Sequence, residues 1–453
     1  MSVRLFPAES VCPVCLNKTK TSITVGNDGF IHMEKACPEH GFFDTLIWEG
    51  DVISYLSWGD EDVEGNAPKT AIPAEKGCPH DCGLCTSHQS EGCCVLLELT
   101  KRCNLHCPVC FASAGAGPET DLPKEEIIRQ YDWLMAHGGP YNIQLSGGEP
   151  TMRDDLDEII RLGRERGFTY FQLNTNGLRI AEEENYASRL KEMGVSCVFL
   201  QFDGCRDEIY TALRGKELFE TKCQAIDACA KADLPVVLVP VIAPDINEDD
   251  IGEIIQFALQ RHPHVRGVHF QPLSYFGRCE VPARELAEKC CENAQTQWRI
   301  TIPRMLKKIE EQTGGLLKAS DFHGGGAESP YCSFHAAARV QPDGSLKILK
   351  KRTRSCCCPQ PSSEAMNFVS QQWGNEDPSF PDAEGDVSSL DLFLKQAIND
   401  TFTVSGMLFQ DAWNLDLSRL RRCYICEADS ERGMVPFCAY NLTDTNGKAL
   451  YRK

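Results

Sequence analysis

The stretch Cys103-Asn-Leu-His-Cys107-Pro-Val-Cys110 constrains this 453-residue chain more than any other. Three thiolates on one short loop can hold three irons of a [4Fe–4S] cube and leave the fourth open to a ligand that is not protein. A structural zinc site would close its tetrahedron with a fourth side chain. The spacing occurs a second time, in Cys78-Pro-His-Asp-Cys82-Gly-Leu-Cys85, with Cys93 and Cys94 following. Three cysteines and one of that pair complete a fully ligated second cluster; a zinc site using the same ligands is the alternative. The cysteine left over is read as a small buried hydrophobe.

Of the 25 cysteines, 11 precede residue 111, seven lie between 111 and 331, and seven follow from 332. In a small secreted domain such density means disulfides. This chain is large, shows no charged and apolar leader, and repeats ligand spacings, which favours metal ligation in a reducing cytoplasm. No apolar run approaches the roughly 18 residues that a membrane span needs. Sixty-five acidic against 46 basic residues leave a net charge of −19, which disfavours a nucleic-acid backbone as partner.

Length alone suggests roughly three domains. Residues 1–65 read as an N-terminal mononuclear-metal knuckle. Strand Lys20–Val25, an Asn27-Asp-Gly29 turn and strand Phe30–Met33 form a hairpin flanked by Cys12-Pro-Val-Cys15 and Cys37-Pro-Glu-His40. Four ligands in two tight turns suit one tetrahedral metal, iron or zinc. Residues 66–94 are an upstream auxiliary-cluster segment, entered through the acidic, linker-like stretch 61–75. From 95 to 315 the pattern is α/β. Strands 95–99, 142–145, 170–174, 195–202, 235–243 and 267–272 alternate with helices 124–137, 156–166, 182–193, 219–232 and 249–260. Six β–α units with strands apolar on both faces predict a parallel sheet covered by helices, a partial (β/α)6 barrel; periodicity alone also permits a doubly wound sheet. Residues 316–453 read as a C-terminal cysteine-rich domain, loop-like over 359–388. Cys197, Cys205, Cys223, Cys229, Cys279, Cys290 and Cys291 show no ligand spacing and are read as core.

A triad of this spacing after the first strand of such a barrel resembles the radical SAM superfamily. The resemblance implies that S-adenosylmethionine chelates the open iron through its amino and carboxylate groups, and that one electron releases a 5′-deoxyadenosyl radical. Cys103, Cys107 and Cys110 are then the catalytic cluster ligands. Ser146-Gly147-Gly148-Glu149-Pro150 ends the second strand and matches the family's Gly-Gly-Glu motif, which would hold the methionine amino group. Asn174 and Asn176 end the third strand; Gln201 and Asp203 end the fourth. These positions approach the ribose and the substrate in the family. Arg214 resembles an arginine that pairs with the methionine carboxylate, a surface arginine being the alternative, and Gln271 ends the sixth strand. All lie at carboxyl ends of strands, where parallel β/α folds build their sites. The pattern's aromatic residue before the last cysteine is Val109 here, with Phe111 just after.

The order of motifs along the chain resembles the subgroup that holds the archaeal tetraether lipid synthase and proteins described as dihydropterin methyltransferase-like. The match includes Phe409–Leu417, Arg422-Cys423 and Val435–Asn441. It implies auxiliary [4Fe–4S] clusters and one mononuclear iron. Cys423, Cys426 and Cys438 would hold a third cluster, with Cys332 or one of Cys356–Cys358 as fourth ligand. The run Thr353–Pro359 resembles the subgroup's bacterial radical SAM (seleno)protein branch. A redox role for Cys356, Cys357 and Cys358 follows from that likeness and from Lys350, Lys351, Arg352 and Arg354 beside them, since nearby cations lower thiol pKa.

The combined reading is an anaerobic cytoplasmic enzyme that abstracts hydrogen from an unactivated C–H bond of a lipid, pterin or other small molecule, fed by an electron donor such as flavodoxin or ferredoxin. The alternative is a non-catalytic iron–sulfur carrier or scaffold that binds S-adenosylmethionine.

Overall fold

In a computed structural model, residues 2–59, 68, 72–115, 120–280, 299–325, 328–349, 362–374 and 400–452 are described. The N-terminal segment is a four-stranded antiparallel meander, β1 (Val3–Val11), β2 (Lys18–Val25), β3 (Ile31–Cys37) and β4 (Gly41–Trp48). The predicted hairpin is its centre: Gly29 at φ +83° and the Asp28 carboxylate, which accepts from Phe30 N at 3.0 Å, close the β2–β3 turn. The two outer strands were not foreseen.

The main sheet begins with β5 (Cys94–Thr100); β6 (Val109–Cys110) is a short strand in the cysteine loop. The sheet continues through β7 (Asn142–Gly147), β8 (Phe171–Thr175), β9 (Cys197–Gln201), β10 (Val236–Val239), β11 (Val241–Ile242) and β12 (Val265–Pro272). β5, β7, β8, β9, β10 and β12 are parallel neighbours in their order along the chain. A doubly wound sheet reverses strand order partway; this one does not, so the winding is that of a barrel. Val95, Leu97, Ile143, Leu145, Leu173, Val198 and Val236 are buried in one core beneath the helices, as strands apolar on both faces require.

Two boundaries differ for local reasons. The predicted strand 235–243 is split at Pro240, which has no N–H to give the ladder. The predicted helix 182–193 is two helices, Leu178–Glu182 and Tyr186–Met193, parted where Asn185 takes φ +61°.

A larger difference lies beyond residue 316. The C-terminal stretch does not build a sheet of its own. After β13 (Arg278–Cys279) come β14 (Ser333–Val340), β15 (Leu346–Ile348) and β16 (Thr401–Met407), and β16 joins β12 in parallel. β17 (Ile425–Asp429) joins β5 in parallel at the other end, with β18 (Gly433–Pro436) beside it. The six predicted strands are thus flanked on both sides by chain from the C-terminus. Helix Ser362–Trp373 falls in the stretch expected to be loop. It packs Val369 and Trp373 against Tyr170, Cys197, Phe199 and Val237 near the N-terminal ends of the strands. No helix among the described residues is long and apolar enough to cross a membrane. Cys290, Cys291 and Cys356–Cys358 lie outside the described residues.

Candidate active site

The loop after β5 carries the triad. Asp121 anchors its root, accepting from Thr100 Oγ1 at 2.6 Å and from Arg102 Nε and Nη2 at 2.9 and 2.8 Å. Its far end is held by Arg278, which donates to the Cys107 carbonyl at 2.8 Å and lies opposite Cys110 in the β6–β13 pairing. Cys107 is buried and Cys103 and Cys110 are half-buried. Burial pushes the Cys103 thiol up to about 12 and raises Cys107, the latter opposed by Arg214. A metal that took these thiols as thiolates would therefore release protons on binding.

The Gly-Gly-Glu turn is stitched to that loop. Gly148 N donates to Thr100 O and Glu149 N to Arg102 O, each at 2.8 Å. A Cβ on Gly148 would fall 2.1 Å from the Arg102 carbonyl, and one on Gly147 2.5 Å from Thr100 O. The glycines are needed for backbone to approach backbone, which sets the turn against the cysteines. Glu149 is almost wholly buried. Oε1 accepts from Thr151 N, Thr151 Oγ1 and Thr175 Oγ1 at 3.1, 2.7 and 2.7 Å, and Oε2 accepts from Asn176 N at 2.7 Å. A carboxylate offers about four lone pairs, so Oε2 keeps acceptor capacity while Oε1 is saturated.

Arg214 is not a surface residue. It ends helix Asp207–Arg214, is buried, and donates through Nε and Nη2 to the two oxygens of Asp203, both at 2.7 Å. Burial alone would lower the guanidinium, and the Asp203 carboxylate more than offsets it. Asp203 itself is fully buried, held to Arg214, and is not among the residues that line the cavity. Gln201, with its amide oxygen toward Arg214, lies 3.3 Å from Nη1 and Nε. Changing Asp203→Asn strands a buried cation, which costs about 3–5 kcal/mol. A lower melting temperature and weaker S-adenosylmethionine binding are expected, read by calorimetry and equilibrium dialysis.

Asn176 ties β8 to the cysteine loop through Asn104 Oδ1, at 2.7 Å. Its carbonyl accepts from Lys222 Nζ, a fully buried ammonium whose pKa desolvation lowers to about 8 from 10.5. Between those values the unfolded chain binds the extra proton, so this residue makes stability rise with pH from about 8 to 10.5. Lys222→Met should remove that component, seen as a smaller pH slope in denaturant midpoints. Lys222 and Arg278 were missed by sequence reading, and no spacing marks either.

These groups meet in one cavity of about 280 Å³. Its walls hold Cys103, Cys107, Cys110, Gly147, Gly148, Glu149, Asn174, Asn176, Gln201, Arg214 and Gln271, and also Cys93 and Cys94. Three thiols, a glycine cradle, a buried carboxylate and a held guanidinium around one space fit an iron–sulfur cube and a zwitterionic cofactor.

The knuckle is a second assembled site. The ligand atoms of Cys12, Cys15, Cys37 and His40 lie within 4.8 Å of one another. His40 Nδ1 is 3.7 Å from Cys12 Sγ and 3.5 Å from Cys37 Sγ. With metal–sulfur bonds of about 2.3 Å a tetrahedron has edges of about 3.8 Å, so this spacing fits one metal. Cys12 and Cys37 pack in a shared cluster with Val109, Leu213, Leu273 and Trp413. The knuckle therefore backs the residues beside Cys110 and Arg214.

The other cysteines divide. Cys78, Cys82 and Cys85 are buried, and a hydrogen bond shared by Cys78 and Cys82 lowers the first and raises the second. Tyr451 clamps that turn, donating to Pro79 O at 2.6 Å and accepting from Cys82 N at 3.0 Å. Cys94 Sγ accepts from Gln144 Nε2 at 2.7 Å within the cavity. Burial and then the Cys332 thiol push Cys423 up to about 12, while burial, Cys423 and Cys332 raise Cys438. Cys426 sits opposite Val95 in the main core, where burial and then the Cys423 and Cys94 thiols raise its pKa.

Residues 97–258 match the radical SAM superfamily, and residues 5–49 match the HMPTM N-terminal zinc ribbon domain. The 7,8-dihydro-6-hydroxymethylpterin dimethyltransferase of Methanocaldococcus jannaschii is 33% identical over 486 residues, covering 95% of this chain and 92% of that protein. Fe-coproporphyrin III synthase of Methanosarcina barkeri is 37% identical, over 62% of this chain and 63% of its own length. Among solved structures, Streptococcus suis SuiB bound to S-adenosylmethionine aligns with a TM-score of 0.39 at 14% identity, over 50% of this chain and 48% of that one.

Proposed function

This chain belongs to the radical SAM superfamily, and we propose on that footing that it cleaves S-adenosylmethionine reductively and abstracts hydrogen from an unactivated C–H bond of a small molecule. The observation that carries this is the single cavity shared by the triad, the Gly-Gly-Glu turn and the Asp203-held Arg214. A four-iron cube on Cys103, Cys107 and Cys110 would supply one electron to the sulfonium of bound S-adenosylmethionine, giving methionine and a 5′-deoxyadenosyl radical. The chain's own part is placement. Glu149 Oε2 offers an acceptor to an ammonium group, Arg214 offers its face to a carboxylate, and Asn176 fixes the loop between them.

The relative named a dihydropterin dimethyltransferase matches nearly the whole length, which supports methylation or another carbon–carbon bond formation on a small molecule. Auxiliary clusters on Cys78, Cys82 and Cys85 with one of Cys93 and Cys94, and on Cys423, Cys426 and Cys438 with Cys332 or one of Cys356–Cys358, are part of the proposal, as is a metal on the knuckle. The electron donor would be a flavodoxin or ferredoxin, in the cytoplasm.

The test is incubation of the anaerobically reconstituted, dithionite-reduced protein with S-adenosylmethionine. Methionine and 5′-deoxyadenosine in equal amounts are expected. Binding without either product would favour the carrier reading.

A further inference from the structure

Cys94 opens β5 and faces inward. Along the strand Cys94 and Leu96 line the cavity, while Val95, Leu97 and Leu99 pass to the core beneath the helices, the alternation that a strand imposes. The residue is only 5% exposed. Its sulfur accepts one hydrogen bond, from Gln144 Nε2 at 2.7 Å. A chain of amides fixes the direction of that bond. Gln144 Oε1 accepts from Asn174 Nδ2 at 3.1 Å, and Asn174 Oδ1 accepts from Gln172 Nε2 at 2.7 Å. Gln144 therefore turns its NH2 group, and not its oxygen, toward the sulfur.

A thiol is also a weak donor. The thiols of Cys82 and Cys423 give their hydrogen to Pro79 O and Ile425 O, each at 3.2 Å. For the Cys94 thiol no acceptor stands within reach among the described residues. Burial favours its neutral form. The result is an S–H group held at the sulfur, with its hydrogen unspent, in the wall of the space that the triad and the Gly-Gly-Glu turn share.

An S–H bond is weaker than an alkyl C–H bond, so a carbon radical takes hydrogen from a thiol downhill. It takes none from water, whose O–H bond is stronger. We propose that Cys94 is the hydrogen-atom donor of this cavity, which ends the reaction by quenching the product radical, and that it is not a cluster ligand. Cys93 is then left to complete the upstream cluster. In the quenching step the S–H bond breaks and a C–H bond forms; the carbon is reduced and the sulfur becomes a thiyl radical. One electron from the flavodoxin- or ferredoxin-class donor and one proton from solvent restore the thiol. The assignment rests on the radical SAM reading, which supplies the carbon radical.

The test needs no substrate. The iron-loaded full-length protein is equilibrated in D2O, reduced and given S-adenosylmethionine alone, and the 5′-deoxyadenosine is analysed by mass spectrometry. The 5′-deoxyadenosyl radical should then take deuterium from the Cys94 S–D group, so that the product carries one deuterium at C5′. Cys94→Ser keeps an acceptor for Gln144 but offers only a strong O–D bond. In it, and in Cys94→Ala, the deuterated fraction should fall to natural abundance. The fraction is read per molecule formed, so a slow variant is as informative as a fast one. Both variants should hold as much iron as the unaltered protein. Deuterium unchanged in both would point to another weak bond, such as the Tyr424 O–H in the same wall, and would overturn the donor. Loss of about four irons in the variants would make Cys94 a ligand and overturn it as well. 5′-Deoxyadenosine without deuterium from the unaltered protein strikes this proposal alone; no 5′-deoxyadenosine at all strikes the radical SAM reading and the proposal with it.

Discussion

Cys107→Ala is expected to leave a folded protein that forms no 5′-deoxyadenosine above background and holds about four fewer irons per chain. The fold should survive because the Arg278 hydrogen bond goes to the Cys107 backbone carbonyl, which the substitution keeps. The residue is buried in a small cluster with Leu105, Leu178, Tyr210 and Leu218. Losing its sulfur leaves a void smaller than a Leu→Ala truncation, which costs about 2–5 kcal/mol. Activity, iron content and far-ultraviolet circular dichroism separate these effects. Full iron content with normal cleavage in the variant would contradict the assignment of the triad.

Stripping a knuckle metal with a chelator, or changing Cys37→Ser, is expected to loosen β3–β4 and, with them, the catalytic loop. Metal binding to zinc-finger peptides is worth about 10–16 kcal/mol at pH 7, and in such units it is folding free energy. This meander has a larger core than a zinc finger, with Ile23, Ile31, Met33 and Trp48 buried, so some structure should outlast the metal. The effect on the active site follows from packing: Cys12 and Cys37 share a cluster with Val109, Leu213 and Leu273. Hydrogen exchange should speed up in residues 31–48 first and in 107–111 with it. Faster exchange confined to the N-terminal meander would mean that the knuckle is a passive appendage.

The triad, the Gly-Gly-Glu turn and the knuckle were legible in sequence because each is a short contiguous pattern whose chemistry depends on spacing. The six parallel strands were legible for the same reason, from unbroken apolar runs. What was not legible depends on closure between distant segments. Nothing local tells β16 to extend the sheet beside β12, or β17 to pair with β5 across some 330 positions. Helix Ser362–Trp373 sits in a stretch rich in loop residues, and only its docking against Phe199 gives Trp373 a role. Asp203 shows the limit most directly. Its place at the end of a strand marks it as a site residue, but whether it meets a ligand or holds Arg214 is decided by a helix that begins four residues later. Lys222 is one lysine among many in sequence, and becomes part of the site only when its ammonium reaches the Asn176 carbonyl.

The central claim is that the triad binds a cluster with one iron open to S-adenosylmethionine. Electron paramagnetic resonance of the reduced protein, recorded with and without S-adenosylmethionine, tests it most directly. In the unaltered protein the cluster signal should change when S-adenosylmethionine is added. In a variant lacking Cys103, Cys107 and Cys110 together, any remaining auxiliary signals should not respond. A signal indifferent to S-adenosylmethionine in the unaltered protein, or one that still responds without the three cysteines, would contradict the account.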